Sequence, residues 1–320
     1  MRSSEVCTPE STASESQSVQ LGERCARRIS KDHMYAITGI TGKVGGATAR
    51  ALLAANLPIR AVLRDKTKAK YWADLGCDIA IAEMEDAKAL AEAFKGATAA
   101  FILPPSEFDP EPGFPEAKAV ISAVSEAINT SRPNRVVCLS TVGAQATQSN
   151  LLTQRTLMEQ ALSSAPVPVV FLRPAWFMEN SLWDIAPAKE TGVLSAYLQP
   201  LDKAFPMVAT ADIGLVAADL LQQTCTGNRV VELEGPVRVS QLDIAAILTK
   251  LLRRPVQAHA VPRETWGAIF KSQGMRDPIP RIQMLDGFNE GWISFEGGTA
   301  EHTLGKVSMV EVLEKLIAAA

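Results

Sequence analysis

The sequence predicts an α/β protein with a doubly wound parallel sheet and a smaller C-terminal lobe. A glycine-rich turn within residues 34–47 joins the first apolar run directly to a helical pattern. Short apolar runs then alternate with amphipathic segments of helical length, and no apolar run is long enough to span a membrane. Strands that alternate with such helices form βαβ units, whose parallel sheet is covered by helices on both faces.

The glycine turn has the form of a ligand-binding strand, turn and helix. Gly39, Gly42 and Gly45 follow the spacing Gly-x-x-Gly-x-x-Gly. A helix that begins here points unpaired backbone N–H groups and a partial positive charge at whatever lies in front of it, which suits a pyrophosphate. The first two glycines allow the chain to approach a ligand, and Gly45 allows the helix to pack close to the strand. The alternative is a glycine-rich turn that binds no ligand.

The second predicted strand, residues 58–63, ends on Arg64, and Lys68 follows shortly after. In dinucleotide-binding folds, the end of this strand meets the adenosine ribose, where an arginine suits a 2′-phosphate. The sequence therefore predicts recognition of NADP(H). The alternative is that both residues are solvated loop charges.

The central part of the chain continues the alternation. Predicted strands span residues 78–82, 97–103, 135–140 and 169–172, and predicted helices run to Phe94 or span residues 116–128 and 150–161. Residues 104–115 contain five prolines and form a long, stiff loop that we expect to border a ligand. Trp176, Phe177 and Met178 follow the last of these strands and are either core residues or part of a substrate wall.

The remainder of the chain is less regular. Predicted strands cover residues 205–209, 229–234 and 257–261, and predicted helices begin near Asp212, at residue 264 and after the capping boxes at Ser240 and Ser308. We expect a disordered N-terminal extension at residues 1–33, because this segment is rich in Ser, Thr, Glu and Gln. A nucleotide-binding domain is expected at residues 34–180. A C-terminal lobe at residues 181–320 is expected to complete the sheet and the substrate pocket.

The composition excludes several classes of protein. With 21% charged residues and a net charge of −3, the chain has no basic surface for nucleic acid and no polybasic patch for a membrane. The five cysteines are scattered and odd in number, which indicates free thiols in a reducing, cytoplasmic compartment. None of the three histidines lies at metal-ligand spacing from another histidine or cysteine, so we expect no metal site.

From Met34 onward the chain resembles the NmrA-like atypical short-chain dehydrogenases/reductases. The resemblance rests on the glycine turn, on Leu63-Arg64-Asp65 with Lys68, on Glu83-Met84-Glu85-Asp86, on the run from Leu172 to Asn180, and on Asp212-Ile213-Gly214. It implies a Rossmann-like sheet that binds NADP(H), with NAD(H) as the alternative. The implied cofactor contacts are Gly39, Thr41, Gly42, Lys43, Val44, Gly45, Arg64 and Lys68, with Glu83 and Met84 near the adenine. Glu83 stands where an aspartate is expected.

The sequence departs from the wider superfamily at the catalytic positions. That superfamily uses a serine with a Tyr-x-x-x-Lys pair, and here Ser140 is followed by Leu151 and Arg155 at the tyrosine and lysine positions. Leucine cannot transfer a proton, whereas arginine can still hydrogen-bond a nicotinamide ribose. Alternatives remain open: Arg155 could pair with Glu159 on the helix surface, and Ser140 could simply end its strand. Tyr197, which lies in the C-terminal region that could border a substrate, is a further catalytic candidate.

The resemblance, together with these departures from it, implies two possible functions. The first is an NADPH-dependent oxidoreductase that transfers hydride to a small acceptor such as a quinone or an azo compound, with water supplying the proton. The second is a non-catalytic NADP(H) sensor that acts through a protein partner. Under either reading, we expect no nucleic acid or membrane as a partner.

Overall fold

The structure, a computed structural model, describes residues 33–320, so the predicted extension lies outside the described residues apart from its last residue. The strands of this part are β1 (Met34–Ile37), β2 (Ile59–Leu63), β3 (Asp78–Ile81), β4 (Ala97–Ile102), β5 (Val136–Leu139), β6 (Val169–Pro174), β7 (Trp176–Phe177), β8 (Val193–Ala196), β9 (Met207–Val208), β10 (Arg229–Glu234), β11 (Gln257–Ala260) and β12 (Glu301–Leu304). Its α-helices are α1 (Lys43–Ala54), α2 (Ala69–Asp74), α3 (Ala87–Phe94), α4 (Pro115–Ser131), α5 (Thr153–Leu162), α6 (Leu182–Glu190), α7 (Thr210–Gln222), α8 (Gln241–Leu252), α9 (Trp266–Ser272), α10 (Ile279–Glu290) and α11 (Met309–Ala319).

The central sheet of the described chain has eight strands in the order β12-β10-β6-β5-β4-β1-β2-β3. Every neighbouring pair is parallel, which confirms the predicted Rossmann-like α/β fold. The chain builds β2 and β3 on one side of β1 and then crosses to β4 on the other side. Ligands of such sheets bind where the strand order reverses. The expected crevice therefore lies at the carboxyl ends of β1 and β4.

The central strands are buried on both faces. All six residues of β4 are buried: Phe101 packs on one face with Ile37, and Ala100 and Ile102 pack on the other face with Phe94. Continuous apolar runs of this kind are typical of central strands in a parallel sheet. The edge strand β12, in contrast, is mostly exposed and reads Glu-His-Thr-Leu. It has no apolar pattern, and the sequence did not predict it.

Helix α7 packs closely on α1, the helix that follows the glycine turn. A Cβ atom at Gly214 would lie 2.4 Å from the Cβ atom of Ala47, so only glycine allows this approach. Asp212, two residues earlier, accepts hydrogen bonds of 2.8 Å from the N–H groups of Lys306 and Val307. The Asp212-Ile213-Gly214 motif therefore packs α7 and the segment after β12 around the sheet.

The C-terminal elements form a second region of packing. Two small parallel pairs, β7 with β9 and β8 with β11, accompany the helices α6 and α8 to α11. Both predicted capping boxes are confirmed: the side chains of Ser240 and Ser308 accept bonds from the N–H groups at the third helical positions of α8 and α11. Helices α6 and α10 were not predicted, because Pro187 and Gly287 lie inside them. None of the described helices is long and apolar enough to cross a membrane.

Candidate functional site

The glycine turn is held by close backbone contacts at the end of β1. Gly39 has a φ of 60° and packs against Leu103, which follows β4. The N–H group of Gly42 donates to the carbonyl of Gly39 at 2.9 Å. A Cβ atom at Gly45 would lie 2.3 Å from the same carbonyl, so any side chain there would displace the backbone. Gly39 and Gly45 therefore build the turn, whereas Gly42 has only one near contact, at 3.3 Å.

The N-terminus of α1 is free to receive an anion. Within residues 33–320, no side chain caps this end of the helix, because its N-cap residue is Gly42, and the first turn of α1 contains no acidic residue. Thr41, Gly42 and Lys43 are exposed, whereas Val44 is buried. Unpaired N–H groups at a helix N-terminus, with a partial positive charge and a neighbouring lysine, are the chemistry that a pyrophosphate requires. The residues present therefore fit the diphosphate of a dinucleotide.

Thr38 joins the carboxyl ends of β1 and β4. Its hydroxyl donates to the carbonyl of Phe101 at 3.0 Å and accepts from the N–H of Leu103 at 2.8 Å. The side chain is fully buried. Although Thr38 belongs to the family-like glycine motif, its role was not predicted, because the contact crosses more than sixty residues of sequence.

The predicted adenosine-binding residues lie at the ends of the two strands beyond β1. Arg64 follows β2 and is exposed, and its side chain makes no hydrogen bond or ion pair within the described chain. Asp65 caps the following short helical turn by accepting from the N–H of Thr67 at 2.9 Å, and Lys68 lies 3.9 Å from Asp65. The Thr67 bonds hold the pKa of Asp65 below its usual value.

Glu83 and Met84 follow β3, the strand beside β2. Glu83 is exposed and Met84 is half-buried. The parallel arrangement thus places the predicted cofactor residues from β1, β2 and β3 at one edge of the sheet.

Ser140 belongs to a buried polar network. Its hydroxyl donates to Glu159 Oε1 in a short hydrogen bond. Arg173, at the end of β6, donates from Nη2 to Glu159 Oε2 at 2.6 Å and from Nε to Oε1 at 2.9 Å, and its Nη1 lies 2.6 Å from Glu296. Arg173 and Glu159 have side-chain exposures of 5% and 10%. The alternative in which Arg155 pairs with Glu159 on the helix surface is therefore wrong, because Glu159 is turned inward to Arg173.

Arg155 instead holds the proline-rich loop. Its guanidinium donates to the carbonyls of Pro104 at 2.9 Å and Pro105 at 3.2 Å, and to the hydroxyl of Ser106 at 2.6 Å. Burial lowers the pKa of Arg155 from its usual value. The residue thus fixes the segment that leaves the carboxyl end of β4. Contact of Arg155 with a nicotinamide ribose stays a prediction.

The far part of the same loop is held by the C-terminal region. Asp109 accepts hydrogen bonds from the N–H groups of Arg276 at 2.8 Å and Asp277 at 2.9 Å. The Arg276 side chain also bonds Asp109 and Glu111. Residues 104–115 are thereby clamped between α5 and the segment before α10, next to the expected crevice.

Leu151 and Tyr197 face different surroundings. Leu151 is buried among apolar residues of the C-terminal region, and its N–H donates to the carbonyl of Pro280 at 2.9 Å. Tyr197 is half-buried after β8, with ring centroids 5.3 Å from Phe270 and 5.7 Å from Trp266. Burial raises the pKa of the Tyr197 phenol.

The aromatic run after β6 is shared between core and surface. Trp176 is half-buried and meets Phe288 edge-on, with ring centroids 5.2 Å apart. Phe177 is also half-buried, and Met178 is only 1% exposed. Met178 is thus a core residue, whereas the two rings combine packing with partial access to solvent.

Asp184, in the first turn of α6, is an acidic residue that the sequence reading did not single out. Burial raises the pKa of its carboxyl to about 7, and a hydrogen bond from Ser181 opposes that shift. A carboxyl with such a pKa exchanges its proton near neutral pH, and groups of this kind are common at functional sites.

We expect Asp184 to make stability fall as the pH rises. Because its folded pKa lies above the unfolded value of 3.8, the native state holds the extra proton between these values, and stability is lost from about pH 4 to pH 7. The difference between the folded and unfolded pKa values corresponds to about 4 kcal/mol in the free energy of unfolding. The partial access of Asp184 to water reduces this to about 1–2 kcal/mol. The free energy of unfolding, measured in urea at pH 5.5 and pH 8, should fall less between these two pH values in Asp184→Asn than in the parent. An unchanged pH effect would contradict the assignment.

Comparisons with known proteins agree with this geometry. Residues 31–302 match the sequence profile of the NmrA-like family. The NAD(P)H azoreductase of Xenophilus azovorans is 26% identical over 249 residues, which cover 77% of this chain and 83% of that protein. Quinone oxidoreductase 2 of Escherichia coli (strain K12) is also 26% identical over 249 residues, covering 77% of this chain and 84% of that protein.

Solved structures share the fold at lower identity. The NADPH-dependent quinone oxidoreductase of Escherichia coli, complexed with NADPH, has a TM-score of 0.74 at 23% identity and covers 88% of this chain and 99% of its own. Triphenylmethane reductase of Citrobacter sp., complexed with NADP(H), has a TM-score of 0.73 at 19% identity and covers 89% of this chain and 99% of its own.

Proposed function

The chain belongs to the NmrA-like family, and from this premise we propose that it is an NADPH-dependent oxidoreductase that reduces a small electron acceptor. The observation that carries the proposal is the uncapped, exposed N-terminus of α1 at the point where the strand order reverses. Two relatives that align with 77% of this chain at 26% identity are named NAD(P)H azoreductase and quinone oxidoreductase 2. The acceptor class proposed here is therefore a quinone, an azo compound or a similar unsaturated molecule.

The cofactor contacts follow the carboxyl edge of the sheet. The backbone of residues 41–45 would hold the pyrophosphate, with Lys43 adding charge, and Arg64 and Lys68 would meet the 2′-phosphate. Glu83 and Met84 would border the adenine. Arg155 would hydrogen-bond the nicotinamide ribose. It would also fix the proline-rich loop beside the nicotinamide through its bonds to residues 104–106. NADP(H) is the proposed cofactor, and NAD(H) is the alternative.

Hydride transfer to such an acceptor requires the protein mainly to hold the cofactor and the acceptor in position. NADPH, when bound, supplies a hydride to the acceptor. The apolar side chain of Leu151 cannot supply the accompanying proton, and the hydroxyl of Ser140 is already bonded to Glu159 inside the protein. Water then delivers the proton, since a reduced quinone or azo nitrogen is basic enough to take it from solvent. Ser140 is accordingly proposed as a structural residue.

A non-catalytic sensor is not favoured, because the curated relatives reported above carry the names of enzymes. A protein partner and nucleic acid have no part in the proposed reaction. We also propose a cytoplasmic location. Cys77, Cys138 and Cys225 are free thiols, as expected in a reducing compartment.

The 2′-phosphate contact gives a direct test of the cofactor assignment. Arg64→Ala should weaken NADPH binding by about 1.5–3 kcal/mol and leave NADH binding nearly unchanged, because it removes a charged hydrogen bond to a group that NADH lacks. Titration calorimetry with both cofactors measures the difference. Lys70→Ala is the control, because Lys70 is exposed and already paired with Asp74 at 2.8 Å. Equal affinity of the parent for both cofactors would refute the assignment.

A further inference from the structure

Arg281, in the first turn of α10, is a half-buried cation without a counter-ion. Its guanidinium carbon lies 4.3 Å from the ring centroid of Phe270. Within residues 33–320 it makes no ion pair and donates no hydrogen bond, although a guanidinium carries five N–H donors. Burial lowers the pKa of Arg281 from its usual value, but arginine stays charged at neutral pH. Such a group is completed by water or by a ligand that accepts its hydrogen bonds.

Arg281 is part of a cluster that joins three elements. Tyr197, after β8, packs on the same Phe270 ring, with centroids 5.3 Å apart. Burial has the largest effect on the pKa of Tyr197 and raises it; Arg281 lowers this pKa and Asp184 raises it. Asp184 forms no ion pair with Arg281, and burial raises its own pKa to about 7. Within residues 33–320, the Arg281 guanidinium therefore has no carboxylate bonded to it.

The cluster is tied to the carboxyl edge of the sheet. The N–H of Leu151 donates to the carbonyl of Pro280, the residue before Arg281, at 2.9 Å. Leu151 occupies the position that corresponds to the catalytic tyrosine of the wider superfamily, which is where the acceptor meets the nicotinamide. The start of α10 is therefore attached to the segment that borders the reacting end of the proposed cofactor site.

We propose that Arg281, stacked on Phe270 beside Tyr197, binds a negatively charged substituent, such as a sulfonate or carboxylate, on an aromatic acceptor. This inference rests on the proposed reductase function and specifies its substrate class. Arg281 would donate hydrogen bonds to the anion through its planar pair of N–H groups.

The test compares a naphthoquinone with the same naphthoquinone carrying one sulfonate, using full-length protein and NADPH. The ratio of the two kcat/KM values is measured in the parent and in Arg281→Gln. The two quinones differ in intrinsic reactivity, and this difference affects the ratio equally in every protein. Only a change in the ratio between proteins therefore measures the contribution of Arg281 to binding the sulfonate. We expect the relative preference for the sulfonated quinone to fall about tenfold or more in Arg281→Gln, the effect of one lost charged hydrogen bond.

Two variants serve as controls. Arg263→Gln also removes a cation near an aromatic ring, 5.6 Å from the centroid of Trp266, but Arg263 is already paired with Asp286 at 2.7 Å. It should keep the preference of the parent. Arg281→Lys should retain part of the preference, because the charge remains while the planar donor pair is lost.

Binding of naphthalene sulfonate, which cannot be reduced, separates failure of the subsite from failure of the proposed function. Calorimetry should show binding to the parent and to Arg263→Gln, and much weaker binding to Arg281→Gln. Equal binding to all three proteins, or an unchanged kcat/KM ratio in Arg281→Gln, would overturn the subsite even if the quinones are reduced. Absence of quinone reduction with Arg281-dependent sulfonate binding would overturn the reductase function and keep the anion site.

Discussion

Gly42→Val should weaken NADPH and NADH binding alike, by about 3 kcal/mol or more, which is at least about a hundredfold in affinity. Gly42 is exposed at the start of α1, where the backbone is proposed to approach the pyrophosphate that both cofactors share. A branched side chain would hold the phosphates away from the N–H groups and remove at least two charged hydrogen bonds. Titration of both cofactors measures the loss.

The fold should survive this substitution. Gly42 has extended backbone angles, φ −88° and ψ 175°, which valine adopts readily, and a Cβ atom meets only one backbone atom at 3.3 Å. Gly45→Ala is the contrasting variant, because its Cβ atom would lie 2.3 Å from the Gly39 carbonyl and should reduce stability as well as binding. Cofactor affinities of Gly42→Val within threefold of the parent would exclude the glycine turn as the pyrophosphate site.

Arg173→Met should destabilise the protein by about 3–5 kcal/mol, because it leaves the Glu159 carboxylate buried without its partner. The same change also breaks the link from β6 to Glu296. The free energy of unfolding from urea titration at pH 7 measures the effect.

The ion pair of Arg229 with Glu301 provides the matched control. It has a similar distance, 2.7 Å, but side-chain exposures of 26% and 49%, so Arg229→Met should cost less than about 1 kcal/mol. If Arg173→Met and Arg229→Met lost the same free energy of unfolding, burial of the Arg173 ion pair would not determine its contribution to stability.

The sequence predicted those parts of the fold that carry local patterns. The glycine turn, the buried strands β4 to β6 and the two capping boxes all produce signals within a few residues, and the structure contains each of them. Strand β12 gave no such signal, because an exposed edge strand needs no apolar face. Helices α6 and α10 were obscured by the proline and glycine inside them.

The features of the site that the sequence did not predict depend on contacts between distant parts of the chain. Spacing suggested that Glu159 pairs with Arg155, one helical turn away, but Arg173 from β6 offers a buried bidentate partner. Arg155 then binds the proline-rich loop, some fifty residues earlier in the chain. The sequence did not single out Arg281. Its ring contact with Phe270 and its lack of a carboxylate partner in the described chain are features of the folded structure.

The central claim is that this protein transfers hydride from NADPH to a small acceptor, and acceptor-dependent oxidation of NADPH tests it most directly. Steady-state and stopped-flow absorbance measurements should cover quinones, azo dyes and enones, with Gly42→Val as the binding-deficient control. We predict loss of NADPH well above the rate without enzyme for at least one quinone or azo compound, and little loss with Gly42→Val. Tight NADPH binding by the parent without oxidation by any acceptor in the panel would contradict the claim.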